Sequence, residues 1–242
     1  MRPVIILTRP APASGSVAQQ LRDKLGDVDV IVAPLLDIRP ITGLPPLERY
    51  KALIFTSANG VDQFCAQSER RDLPCFAVGE ATAARAKEHG LSAEVFGPDA
   101  AGMIRTLLAK QVKGPLLHLR GAHARGDIAE NLTFSGCQTD DAVIYEQWPV
   151  ALSDQAKAAL TKPNSVIVPL YSPRTARLFA REHAGQAPLF VAALSSAVAQ
   201  EVAGLEMRMC MVADKPEAGV MLDCIIALYK AALWVEGSDK SK

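Results

Sequence analysis

Aromatic residues make up only 5% of this 242-residue chain, and its charges cancel, with 26 Lys and Arg against 26 Asp and Glu. So few aromatics argue against gripping single-stranded nucleic acid by base stacking. The zero balance excludes a global basic field for nucleic acid or a membrane surface, while leaving room for a local basic cleft. Cysteine is sparse and unpatterned. Cys65, Cys75, Cys137, Cys210 and Cys224 are odd in number and contain no C-x-x-C, so neither a disulfide framework nor a zinc site is expected. Buried thiols in a reducing compartment are the simpler account. The four histidines, His89, His118, His123 and His183, lack metal-ligand spacing. Gly-rich dinucleotide loops, a Walker A motif and a G-x-S-x-G elbow are all missing. The first apolar run, Val4–Leu7, is too short for a signal peptide, and no run reaches the 18 or so apolar residues of a membrane span. These absences predict a cytoplasmic protein that works without metal or organic cofactor, as an enzyme or as a binding module.

Hydrophobic residues reach 49% and charged residues 21%, which suits one large or two small packed domains. Short β-branched runs alternate with amphipathic stretches. Val4–Leu7 reads as a strand, Val17, Leu21 and Leu25 mark a helix face after Ser14-Gly15-Ser16, Gly26 caps it, and Val28–Val32 is the next strand. The alternation predicts an α/β fold with largely parallel sheets. An internal repeat then appears. Leu53–Gly60 and Val166–Pro173 are each a strand entering a Ser-capped helix, with Pro173 at a favoured first helical position. Cys75–Ala83 matches Leu189–Ala199, Phe96-Gly97-Pro98 matches Lys215-Pro216, and Ile5–Arg9 resembles Leu116–Arg120. Two homologous halves follow. Ala33–Pro40 and Tyr145–Ala151 read as extended linkers, because proline excludes helix and central strand. Pattern alone leaves open a tandem cut near Gly114 or a discontinuous first domain.

In open α/β sheets ligands bind outside the carboxyl ends of the strands. Those ends carry Thr8-Arg9, Thr56-Ser57, Gly79 with Thr82, Arg120-Gly121, Ser172 and Ser195-Ser196. Helix N-termini there offer free N–H groups and a positive dipole end to anions. Each hydroxyl taken singly is explained as a cap; six in two halves are equally well explained as polyanion sites. Arg9, Arg39, His118, Arg120, His123, Arg125, Arg174 and Arg177 fall on or near these loops and linkers, and Arg forks match carboxylates, although about half would be ordinary surface charges. Tyr145 ends the run Val143-Ile144 where the chain enters the second linker. A phenol there either donates a proton to a leaving oxygen or simply packs at a domain junction.

Assembled in order, Ile6-Leu7-Thr8-Arg9-Pro10, Phe55–Val61, Ala77–Ala83, Leu119-Arg120-Gly121, Val143-Ile144-Tyr145 and the strand ending in Ser172-Pro173 resemble the uroporphyrinogen-III synthase family. The resemblance extends to about Tyr229. It implies two similar flavodoxin-like α/β domains with parallel sheets, joined by a two-stranded linker. The first domain is then discontinuous (residues 1–35 and 149–242) and the second spans 36–148. It also implies a monomer acting without metal or organic cofactor on hydroxymethylbilane, a linear tetrapyrrole with eight carboxylates. Transient handover of that substrate from the preceding pathway enzyme is compatible with it, and nucleic acid and membrane are not partners. The implied reaction is loss of the terminal hydroxyl, attack at the substituted carbon of the last ring, and reclosure with that ring inverted. Catalysis would be mostly positioning in a closing cleft. Tyr145 is the implied catalytic residue. Arg9, Ser57, Gly79, Thr82, Arg120, Ser172 and Ser195 are the expected substrate-binding positions.

The sequence departs from the family pattern where Ser195 and Val198 replace the second Gly and Thr, and where Pro169 would interrupt an apolar strand. Two other functions are considered. A non-catalytic ligand-sensing module of periplasmic-binding-like architecture would need a secretion signal or an effector domain. A hydrolase would use Ser57 or Ser172 with His118 or His123. Val220, Cys224, Ile225 and Leu228 predict a core-facing stripe on the last helix, and Glu236–Lys242 an unstructured tail.

Overall fold

The computed structural model describes residues 2–123 and 127–238; Arg125 and tail residues 239–242 lie outside the described residues. In chain order the first half contains β1 (Val4–Leu7), α1 (Ala11–Leu25), β2 (Asp29–Val32), β3 (Leu36–Pro40), β4 (Ala52–Phe55), α2 (Ala58–Gln67), β5 (Cys75–Val78), α3 (Glu80–Glu88), β6 (Ala93–Gly97) and α4 (Ala100–Ala109). The rest contains β7 (Leu116–Gly121), α5 (Ile128–Phe134), β8 (Thr139–Pro149), α6 (Asp154–Thr161), β9 (Val166–Leu170), α7 (Pro173–Glu182), β10 (Leu189–Ala193), α8 (Ser196–Gln200), β11 (Met209–Val212) and α9 (Ala218–Ser238). Two compact units result, one of Met1–Asp37 with Pro149–Lys242, the other of Ile38–Trp148.

The first unit has the sheet β11-β10-β9-β1-β2, with parallel pairing throughout. Ranked by chain position this is the flavodoxin-like order 2-1-3-4-5, read from the β2 edge. The second unit's sheet is β3-β8-β7-β4-β5-β6, parallel from β8 to β6. Its five parallel strands rank 3-2-1-4-5 from the β6 edge, which is the same arrangement after moving the first two strands to the end. The internal repeat is therefore a circular permutation. Strands β4, β5, β6, β7 and β8 correspond to β9, β10, β11, β1 and β2.

Alternation along each strand sends side chains to two helix layers. In the first unit Ile5 and Leu7 pack with Leu21 of α1 and Ile225 and Leu228 of α9, while Ile6, Val166 and Val168 face α6, α7 and α8. In the second, Leu53 and Phe55 pack with Val61, Phe64 and Ala86 of α2 and α3, and Ile54 and Leu116 face Met103, Leu107 and Leu132 of α4 and α5. Helix α9 is long and apolar enough to cross a membrane by length and composition, contrary to the expectation that no run would qualify. Cys224, Ile225, Leu228 and Tyr229 are buried against the sheet, so its apolarity serves the core of the unit.

Four local expectations are corrected. Helix α1 starts at Ala11, so Ser14-Gly15-Ser16 lie inside it; Pro12 is tolerated near its start, where an N–H would have no partner, and Gly26 closes it at φ 74°. The first linker is in part strand β3, an edge position that accommodates Pro40. Pro169 does not interrupt β9. That strand pairs with β10 over its full length but with β1 only at Val166 and Ile167, so the missing N–H falls beyond the β1 ladder. Glu236 belongs to α9, where its Oε1 accepts the Ser165 N–H at 2.7 Å.

Close approach around Gly185 is testable. A Cβ there would lie 2.0 Å from the Leu160 carbonyl oxygen. Gly185→Ala should lower stability by about 1–3 kcal/mol in urea unfolding, the cost of forcing apart a packed contact; an unchanged midpoint would refute the contact.

Candidate active site

In the second unit Ser57 just after β4, Arg120 near the end of β7 and Tyr145 within β8 lie on neighbouring strands. Ser57 caps α2, its Oγ accepting the Asn59 N–H at 3.2 Å. Tyr145 is buried, only 5% exposed, in the same core as Phe55 and Leu119. Burial pushes the Tyr145 phenol above its ordinary value, with Ser57 opposing in part. The ring rests on a bare backbone. A Cβ at Gly121 would sit 2.7 Å from Tyr145 Cε2 and Cζ and 3.0 Å from its hydroxyl. A register shift between Arg120 and Gly121 places Gly121 opposite Tyr145, and the Ala122 N–H bonds the Tyr145 carbonyl at 2.9 Å. The Arg-Gly pair was noted in the sequence for its arginine; the glycine is what admits the tyrosine.

Gly79 caps α3 at φ 74°, a conformation glycine adopts without strain, and Thr82 is buried one turn on. Arg120 is not an unengaged carboxylate receptor. Its Nε lies 3.2 Å from Asp141 Oδ2 and its Nη1 donates to the Gly121 carbonyl at 3.2 Å. His118 is no loop residue either. It is fully buried inside β7, with Nδ1 2.8 Å from Asp141 Oδ1 and Nε2 3.5 Å from Thr56 Oγ1. The His118 bond, helped by Arg120, holds the Asp141 carboxyl below the usual range despite partial burial. Asp141 carried no motif signal; only strand pairing brings it to His118.

In the first unit Ser172 caps α7, its Oγ accepting the Thr175 N–H at 3.1 Å and lying 2.9 Å from Thr175 Oγ1. Arg9, just past the end of β1, stacks over the Tyr171 ring at 4.5 Å. Burial raises the Tyr171 phenol and Arg9 opposes that rise. Tyr171 was missed as a candidate, although the repeat puts it where Thr56 stands in the other half. Ser195 precedes the five-residue α8 in extended conformation, φ −160°, without a side-chain cap bond, and Val198 is buried where the other unit has Thr82. Arg177 pairs with Glu201, and Arg39 stacks on Trp148 at 4.4 Å. Neither Ser57 nor Ser172 pairs with His118 as a hydrolase would require. Ser57 Oγ accepts the Asn59 N–H, Ser172 bonds Thr175, and the hydroxyl that reaches His118 is that of Thr56. Among the described residues no group of three or more His, Cys, Asp or Glu could hold a metal ion.

Because folding raises the Tyr145 phenol, its contribution to stability is complete below about pH 10 and is lost as pH climbs through the raised folded value. Wild type should therefore lose stability relative to Tyr145→Phe as pH rises above about 10. Urea midpoints at about pH 8 and across that rise check this; parallel curves would place the phenol at an unshifted value.

A family model described as uroporphyrinogen-III synthase HemD matches residues 16–223. Among solved structures, the uroporphyrinogen-III synthetase of Helicobacter pylori 26695 superposes with TM-score 0.65 at 19% identity, covering 94% of this chain and 100% of the other, which shows a shared fold. A mutant uroporphyrinogen III synthase of the extremely thermophilic bacterium Thermus thermophilus matches at 13% identity and TM-score 0.49, covering 96% of this chain and 99% of the other. No curated protein matches in a direct sequence search. With the family model matching most of its length, this chain belongs to the uroporphyrinogen-III synthase family.

Proposed function

We infer that the protein is a uroporphyrinogen-III synthase, a lyase-type cyclising enzyme of tetrapyrrole and haem biosynthesis. The observation that carries this is family membership over residues 16–223. The substrate is hydroxymethylbilane. Breaking the C–O bond of its terminal hydroxymethyl group releases water, and the ring nitrogen's electrons leave an electrophilic azafulvene. Attack by the substituted carbon of the last pyrrole forms a spiro intermediate, and its fragmentation and reclosure give the type III isomer. The formal class is a carbon–oxygen hydro-lyase.

Tyr145 is the proposed proton donor to the departing hydroxyl. Its raised phenol is protonated at neutral pH, and Ser57 is placed to stabilise the phenolate formed. The phenolate recovers its proton when the reclosed ring loses one to restore aromaticity, so the cycle closes without metal or organic cofactor. Substrate carboxylates are proposed to bind at the helix N-termini behind Ser57, Gly79 and Ser172, with Arg9 and Arg120 nearby and Thr82 and Ser195 lining the same rims. The first-unit rim would rely more on backbone N–H groups, since Val198 brings no hydroxyl. All five cysteines are unpaired, which supports a reducing, cytoplasmic location. We take the enzyme to be a monomer that receives its substrate by transient handover, because spontaneous closure to the type I isomer competes with any delay.

The test is conversion of freshly generated hydroxymethylbilane, with oxidised products separated into type I and type III uroporphyrin. Wild type should yield mainly type III, and Tyr145→Phe should lower kcat by about 10²-fold, the size expected for losing a positioned acid. Background type I alone from folded wild type would overturn the activity; a fully active Tyr145→Phe would remove only the tyrosine.

A further inference from the structure

Among the buried polar groups that the chemistry above leaves unused is His118. His118 is fully buried in β7, on the strand face that Leu116 and Ile54 share and the α4–α5 layer covers, with Asp141 paired beside it on β8 and Arg120 two residues on. Such a ring is costly to bury unless both nitrogens are satisfied. Asp141 and Thr56 satisfy them, the first at 2.8 Å and the second at 3.5 Å. The Asp141 carboxylate only accepts, so Nδ1 carries the ring proton. Arg120, 3.2 Å from the other Asp141 oxygen, already balances that negative charge. Nε2 is then the acceptor for the Thr56 hydroxyl hydrogen. Thr56 is half-buried at the carboxyl end of β4, next to Ser57. With its hydrogen turned inward to His118, its oxygen presents only lone pairs outward.

We propose that Asp141 and His118 position the Thr56 hydroxyl as an acceptor for a pyrrole ring N–H of the substrate, a specificity contact distinct from the anion-binding helix termini. This rests on the functional reading above. Ionised carboxylates of the substrate have no hydrogen to donate, so an acceptor-only hydroxyl rejects them and selects a ring N–H. As the C–O bond breaks, positive charge develops on the ring nitrogen and its N–H becomes a stronger donor. The contact therefore tightens in the transition state and acts on kcat more than on KM. His118 and Asp141 never touch the substrate; they are positioning residues.

The experiment is a double-mutant cycle on the full chain, read as kcat, KM and type III fraction. Thr56→Val and His118→Leu should each lower kcat about tenfold or more with KM within about twofold, and raise the type I share. The double variant should be no worse than either single one, because His118 acts only through Thr56. Thr56→Ser should keep a larger share of turnover than Thr56→Val. Wild-type turnover and isomer ratio in Thr56→Val overturn the proposal, as does a further loss on adding His118→Leu to it. Ring ¹⁵N NMR gives a readout without turnover. His118 should show a protonated Nδ1 and a bare Nε2 whose signal moves in Thr56→Val; a protonated Nε2 overturns the proposal. Where His118→Leu does not fold, His118→Gln and the ring spectrum decide. Failure of wild type to make the type III isomer would count against the functional reading alone, since the ¹⁵N signals report the Thr56 bond independently.

Discussion

Parallel pairing is the constraint on which the rest depends. Neighbouring parallel strands cannot be joined by a tight hairpin, so every connection crosses a sheet face, and in each unit helices cover both faces. All the parallel strands of a unit then end on the same rim. Ser57, Gly79, Arg120 and Tyr145 are far apart in the chain yet share the rim of one sheet, while Arg9, Tyr171, Ser172 and Ser195 share the rim of the other. Helix N-termini point along that rim because each helix begins where a strand ends. The polar character of these edges is thus a consequence of topology before any particular side chain is considered.

Within the second unit's rim, small residues decide what large ones do. Gly121 lets the Tyr145 ring lie against the β7 backbone, and the register shift beside it aligns the two. The phenol is held by packing rather than by a charged partner, so its proton affinity is set mainly by burial. A charged partner such as an arginine would have lowered that affinity and disfavoured the protonated form. The arginines follow the opposite logic. Arg120 leans on Asp141 and Arg9 on Tyr171, so each guanidinium is oriented before any ligand arrives.

The permuted strand order explains why the halves look alike in sequence but are cut differently. Moving two strands from one end to the other leaves the sheet intact, because β1 occupies beside β9 the place β7 occupies beside β4. The chain then crosses between units twice, at Asp37–Ile38 and at Trp148–Pro149. The correspondences also show divergence. Gly79 and Thr82 correspond to Ser195 and Val198 in the repeat, and the extended backbone at Ser195 no longer needs glycine.

Periodicity and punctuation alone determined the fold class, the repeat and the caps. Alternating short apolar runs, Gly26, Ser57 and Ser172 carry local signals that do not depend on distant residues. The rim residues were legible because they follow strands, and a strand's end is a local event. Tertiary structure alone decided which of them meet. The Gly121–Tyr145 contact and the His118–Asp141 bond both depend on which strand lies beside β7 and in what register; neither leaves a trace in spacing. Pro169 and His118 were misread for the same reason. Whether a proline interrupts a strand depends on where its neighbour's ladder stops, and whether a histidine faces solvent depends on which helices cover it. Local chemistry sets what each residue is able to do, and pairing across the sheet selects what it does.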